Sequence, residues 1–127
     1  MRREPLILVF NVADIPSLNS MYAANKFTRA RIAKEAHEAV RYSVLEQLGT
    51  DFEPFAVPVS ITVRAYMVRP MDGDNIPKAT FDGLVHAGVL LDDDYKHLPE
   101  HHVYVYKVSA PHERIEVTIQ PITGESN

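Results

Sequence analysis

The amino-acid sequence predicts a single-domain α+β protein with the element order β-α-β-α-β-β, a mixed sheet and two helices. Its length of 127 residues is typical of one domain. Apolar runs of strand length alternate with two stretches of helical periodicity. No repeat or low-complexity tract divides residues 1–127, and residues 123–127 are predicted to form a flexible tail.

The first half of the chain predicts a strand, a long loop and a helix. Residues 6–12 are apolar and β-branched, which favours a buried strand, whereas residues 13–28 are polar and predict a loop. Residues 29–48 predict a helix with Thr28 as its cap and Gly49 as its stop. Five apolar residues form one stripe along this helix: Ala33, Ala36, Val40, Val44 and Leu48.

The second half predicts another strand and helix, followed by a hairpin. Residues 59–68 alternate between apolar and polar positions, as in a half-buried strand. Residues 75–87 predict a helix, because Pro77 falls in its first turn and Gly88 provides a C-terminal stop. Two further strands are predicted to pair as a hairpin around Pro111: residues 101–108 and 113–120.

Charge is distributed unevenly along the chain. The net charge is −4, but six aspartates and one lysine between Asp72 and Asp94 give a local charge of −5, which leaves the rest at +1. Between Ser17 and Tyr42 there are five basic and two acidic residues. The first segment favours a cation site and the second a contact with phosphate, although solvated surfaces would have the same composition.

Residue content and spacing exclude several kinds of site and several classes of protein. Without cysteine the chain forms no disulfide or thiolate zinc site. Histidine ligation is not predicted either, because Pro99 breaks the helical face that His97 and His101 would share. The apolar run of residues 6–10 is too short for a signal peptide, and no run reaches the roughly 18 residues of a membrane helix. We therefore expect a soluble cytoplasmic protein with no membrane partner.

Two aspartates precede the second predicted helix. In extended backbone, Asp72 and Asp74 would point to the same side about 6.5–7 Å apart, a spacing that suits a hard cation. The loop after the helix can return Asp93 to this pair, with Asp92 and Asp94 as competing ligands. Carboxylates with nothing softer nearby favour Mg²⁺ or Mn²⁺. A turn followed by a helix cap would explain the same residues without a metal.

The acidic segment is part of a longer motif. Residues 69–94 read RPMDGDNIPKATFDGLVHAGVLLDDD. This segment resembles the RusA family of Holliday junction resolvases, whose core is approximately Arg-Pro-Asp-x-Asp-Asn-x-x-Lys-x-x-x-Asp-x-Leu, then a glycine stretch and Asp-Asp. The resemblance spans nearly the whole chain, including an N-terminal loop that contains Pro16, Ser17, Asn19 and Tyr22. The departures from the family pattern are an extra residue, Met71, and a less basic N-terminal loop.

The resemblance implies a magnesium-dependent endodeoxyribonuclease that resolves Holliday junctions by paired symmetric cleavage in DNA recombination and repair. Asp72, Asp74 and Asp93 correspond to the metal-binding carboxylates, with Mn²⁺ as a possible substitute ion, and Lys78 corresponds to the catalytic lysine. The implied assembly is a homodimer on four-way DNA in the cytoplasm of a bacterium or a phage-infected cell. A flap-preferring nuclease and a non-catalytic relative that binds branched DNA are the alternatives.

Contacts with DNA are expected from basic side chains and from two aromatic residues. Tyr22 and Phe27 either stack on unpaired bases or pack on the core. The residues predicted to contact the phosphate backbone are Arg69, Lys26, Arg29, Arg31 and Lys34.

Overall fold

The strands form one mixed sheet in the order β1-β4-β2-β3. A computed structural model describes residues 4–12, 25–70 and 75–122, without the side chains of residues 29 and 75–79. β4 runs antiparallel to β1 and β2, whereas β2 and β3 are parallel. This architecture confirms the predicted α+β class, element order and mixed sheet. The elements are β1 (Leu6–Phe10), α1 (Lys26–Leu48), β2 (Val59–Met67), α2 (Asn75–His86), β3 (Glu100–Lys107) and β4 (Arg114–Pro121).

The predicted hairpin of the last two strands is wrong. β2 lies between β3 and β4, because its apolar side chains alternate along its whole length and it pairs on both sides, as a central strand does. β3 is mostly exposed and lies at the edge of the sheet. The connection from β3 to β4 therefore crosses the end of β2, where the Val108 N–H donates to the Met67 carbonyl at 3.0 Å. The unit β2-α2-β3 is the helical crossover that neighbouring parallel strands require.

The hydrophobic core lies between one face of the sheet and the two helices. Val40 and Val44 of the predicted α1 stripe are at most 1% exposed, and Leu84 of α2 is fully buried in the same core. Neither described helix covers the opposite face of the sheet, which we call the open face. β1 was expected to be buried, but it is an edge strand whose Ile7 and Val9 side chains are exposed on that open face, so the prediction holds for one face only.

The start of α1 differs from the prediction. Its cap is Asn25, whose side chain accepts from the Thr28 N–H at 2.8 Å, so Thr28 lies inside the helix. The predicted loop therefore ends earlier than residue 28, and the remainder, residues 13–24, lies outside the described residues, as does the predicted tail at 123–127. Gly49, at φ 76°, ends α1 as predicted. Neither helix of the described ranges is long and apolar enough to cross a membrane.

The end of α2 sets the course of the loop that follows. Gly88 adopts φ 83°, and its N–H donates to the Val85 carbonyl at 3.1 Å. The Val89 N–H donates to the Leu84 carbonyl at 3.0 Å, which completes the double hydrogen bond of a Schellman motif. Leu84 and Val89 are both buried, so this stop is also anchored in the core.

Candidate functional site

The predicted aspartate pair follows the end of β2, where a side-chain hydrogen bond holds the backbone. The Glu113 carboxylate accepts from the Val68 N–H at 2.8 Å, just before the exposed Arg69. Sequence reasoning missed Glu113, because nothing local indicates that the β3–β4 connection reaches the end of β2. Asp72 and Asp74 lie outside the described residues, and Lys78 lies in α2 with a side chain that is not described. Their roles therefore stay predictions.

Three exposed aspartates follow α2, and we call residues 92–94 the acidic loop. The Asp92 carboxylate accepts from the Asp93 N–H at 2.7 Å. The Asp94 carboxylate accepts from the His97 N–H at 3.1 Å and lies 2.6 Å from Nδ1 of the same residue. Two of the three carboxylates thus stabilise turns of the loop.

Asp93 is the aspartate that is crowded against α2. Although much of its side chain is exposed, partial burial raises its pKa, and the charge of Asp82 and a hydrogen bond with Asp92 raise it further. The hydrogen bond with His97 instead lowers the pKa of Asp94. Asp82 lies in the middle of α2, so the acidic loop folds back beside the helix. Carboxylates gathered in this way favour a bound cation, which relieves their repulsion.

A second donor set includes two aspartates of the same loop. One ligand atom each from Asp92, Asp94 and His97 lies within 4.8 Å of the others. Histidine ligation was not predicted from His97 and His101, but the spacing of three residues between Asp94 and His97 is a local signal for this donor set. The 2.6 Å contact between Asp94 and His97 explains this arrangement as a turn, and a cation would have to replace that contact.

The predicted basic side chains that the structure describes on a helix belong to α1. Lys26, Arg31 and Lys34 are exposed along α1. Arg31 lies 4.0 Å from Glu35, an exposed ion pair of little energetic value. Phe27 is 84% exposed, which rules out the expectation that it packs on the core. Arg29 lies in α1 with a side chain that is not described, and Tyr22 lies outside the described residues.

These features define a two-layer α+β protein that presents crowded carboxylates beside one helix and basic side chains along another. The profile of the family described as Endodeoxyribonuclease RusA matches residues 15–120 of the chain. The chain therefore belongs to the RusA endodeoxyribonuclease family, a family of metal-dependent DNA-cutting hydrolases, and the resemblance predicted from the motif is confirmed. No curated protein sequence matches the chain.

Proposed function

We propose that this protein is a magnesium-dependent endodeoxyribonuclease that resolves four-way DNA junctions by cutting two strands symmetrically during recombination or repair. The match of residues 15–120 to the RusA family carries this proposal. The crowding of Asp93 against Asp82 supports it. Asp72, Asp74 and Asp93 are the proposed metal ligands, and Lys78 is the proposed contact to the scissile phosphate.

The proposed ligands fit magnesium by their chemistry. All three are carboxylates, and Mg²⁺ prefers a few oxygen ligands that leave positions open for water and phosphate. Two carboxylates 4 Å apart repel by about 4 kcal/mol at an effective dielectric near 20, so a converged acidic site gains from a cation. When bound, the ion supplies a water of lowered pKa and neutralises phosphate oxygens. The Lys78 ammonium adds positive charge where negative charge develops on the departing oxygen.

DNA binding is proposed for the basic surface of α1. Lys26, Arg31 and Lys34 are exposed and long enough to reach backbone phosphates, and Arg29 and Arg69 are proposed to act with them. Phe27 is proposed to stack on an unpaired base at the junction centre, because its exposed ring has a free face and lies at the start of the same helix.

We also propose a homodimer, which the paired cutting of two strands requires. The open face of the sheet supports it, since Ile7 is 64% exposed and Tyr104 is 46% exposed there. A two-fold interface must be self-complementary, and this face presents both Arg64 and Glu116. Sedimentation velocity should find a dimer, and Ile7→Asp should shift it toward monomer. A wild-type monomer at the concentrations that cut junctions would contradict this proposal.

The decisive experiment compares four-way junction, flap and duplex DNA, each with Mg²⁺ or EDTA. We expect paired symmetric cuts in the junction only, and only with Mg²⁺. Substitution of Asp72, Asp74 or Asp93 by asparagine should abolish cutting, whereas Asp51→Asn, at an exposed aspartate before β2, should retain it. Equal cutting of all substrates would overturn the junction specificity. Preferential flap cutting would identify a flap nuclease, and binding without cutting a non-catalytic relative.

A further inference from the structure

The two helices meet at a pair of histidines that the proposed chemistry does not use. His37 of α1 and His86 in the last turn of α2 stack with ring centroids 4.0 Å apart and an interplanar angle of 20°. His37 is half-buried and His86 is exposed, so one edge of the pair faces solvent. Two stacked imidazoles repel each other when both are protonated, and a nearby anion offsets that repulsion.

Charged groups surround this pair on both helices. Lys34 and Arg41 lie three residues before and four residues after His37, which puts all three along one side of α1. Both are exposed, and neither forms an ion pair with another described residue. From α2, Asp82 faces the pair one turn before His86. Burial and the neighbouring His86 lower the pKa of His37, whereas the charge of Asp82 raises it.

The histidine pair also lies beside the acidic loop. Asp82 acts on the pKa of His37 and on that of Asp93, so its carboxylate is near enough to both groups to affect their charge. Along α2, position 78 precedes His86 by eight residues, or about 12 Å of helix rise. This length corresponds to roughly three to four base steps at 3.4 Å each. A DNA strand that is cut beside position 78 can therefore extend along α2 as far as the histidine pair.

We infer that His37 and His86, flanked by Lys34 and Arg41, form a binding site for a backbone phosphate of the DNA strand near the point of cutting. This inference rests on the proposed function, because it takes the substrate to be a DNA strand. The ring N–H groups donate to the phosphate oxygens, and the phosphate charge draws one proton from solvent onto the stacked pair. Binding of DNA is thereby linked to proton uptake at this surface. A purely structural stack would hold α1 against α2 without such linkage.

Binding of a labelled four-way junction in EDTA tests this site without cutting. Affinity is measured from about 50 to 200 mM salt, at about pH 6 and about pH 8. Each neutralised phosphate adds about 0.9 to the slope of log affinity against log salt. We expect the wild-type slope to be steeper at the lower pH by about 0.9. Between 1 M and 0.1 M salt, the affinity at the lower pH should therefore rise about eightfold more than the affinity at the higher pH.

The double variant His37→Gln/His86→Gln should have the same slope at both pH values. The matched control, His112→Gln, changes an exposed histidine in the short turn Ala110–His112 and should retain the wild-type difference. If the double variant does not fold, as judged by urea denaturation, His86→Gln alone replaces it, because this ring is exposed. A variant that keeps the wild-type pH difference, or a wild type that has none, would overturn the phosphate site.

Failure of this site is distinguishable from failure of the nuclease proposal. Junction cutting with Mg²⁺ is measured on the same proteins at neutral pH. Cutting by a wild type whose salt slope is independent of pH would reject the histidine site alone. A wild type that never cuts, but whose pH-dependent slope disappears in the double variant, would reject the nuclease and establish the phosphate site.

Discussion

Gly83 lies where α2 crosses α1, and replacing it tests whether this crossing sets the geometry of the site. A Cβ atom at position 83 would lie 3.0 Å from both γ-carbons of Val40 and 3.1 Å from its Cβ. Val40 is 1% exposed and β-branched, so its side chain has one strongly preferred rotamer in the helix and little room to move. Gly83→Ala therefore forces the helices apart by a few tenths of an ångström.

Two opposing terms decide the sign of the effect on stability. Alanine gains about 1 kcal/mol over glycine inside a helix. Overpacking a tight contact costs about 1–3 kcal/mol, and contacts with three atoms of a stiff side chain favour the middle of that range. We expect a net loss of about 1 kcal/mol, or roughly 3–6 °C in Tm for a chain of this size. Cutting should also fall, by about threefold to tenfold, because α2 connects Asp74 to the acidic loop and a misplacement of about 1 Å costs about 100-fold.

Urea denaturation and junction cutting of Gly83→Ala, Val40→Ala and the double variant measure these effects. Val40→Ala removes the two γ-carbons that the new methyl group would meet. The double variant should therefore be more stable than the sum of the single changes predicts, with a coupling of about 1 kcal/mol. A Gly83→Ala protein that is more stable than the wild type, with no coupling to Val40, would refute the tight crossing.

Three further predictions follow from the site and the first helix. Asp72→Asn should abolish junction cutting and leave the metal-free melting temperature unchanged or higher, because it removes carboxylate repulsion; a marked fall in Tm would argue against a converged acidic site. The raised pKa of Asp93 means that its neutral form is favoured in the folded protein, so metal-free stability should fall as pH rises from the ordinary aspartate pKa through the raised one. Urea titrations in EDTA should show that Asp93→Asn lacks this fall, and an identical pH profile for the variant would contradict the crowding. Asn25→Ala should lower the free energy of unfolding by about 1 kcal/mol through loss of the α1 cap, whereas Asn25→Ser should cost little, as measured by urea midpoints.

The sequence predicted the elements of the fold better than their pairing. The alternation along β2 and the apolar stripe of α1 are local patterns, and each matches the burial of its element. Which strands become neighbours is a non-local outcome. It depends on β4 being apolar enough on its inward face to lie between β1 and β2, with Ile115, Val117 and Ile119 all fully buried. A short connection around Pro111 favours a hairpin locally, but burial of this face outweighs it.

The same contrast between local and non-local properties applies to the candidate site. The family resemblance predicted Asp93 as the loop ligand, whereas spacing alone left Asp92 and Asp94 as competitors, and the role of Asp93 stays a prediction. The charge of Asp82 beside Asp93, and the Glu113 carboxylate on the Val68 N–H, arise only when distant segments meet. Asp82 is electrostatically coupled to both Asp93 of the acidic loop and His37.

The acidic loop is held in place by its apolar ends. Val89 is buried and its carbonyl accepts from the Phe55 N–H at 3.0 Å, while at the other end the His97 carbonyl accepts from the Val59 N–H at 2.9 Å. Leu98, 7% exposed, completes the second anchor. Because these anchors and the turns at Asp92 and Asp94 position the loop, the Asp93 carboxylate need not contribute to folding. Its repulsion with Asp82 can therefore persist in the folded protein, where it favours binding of a cation.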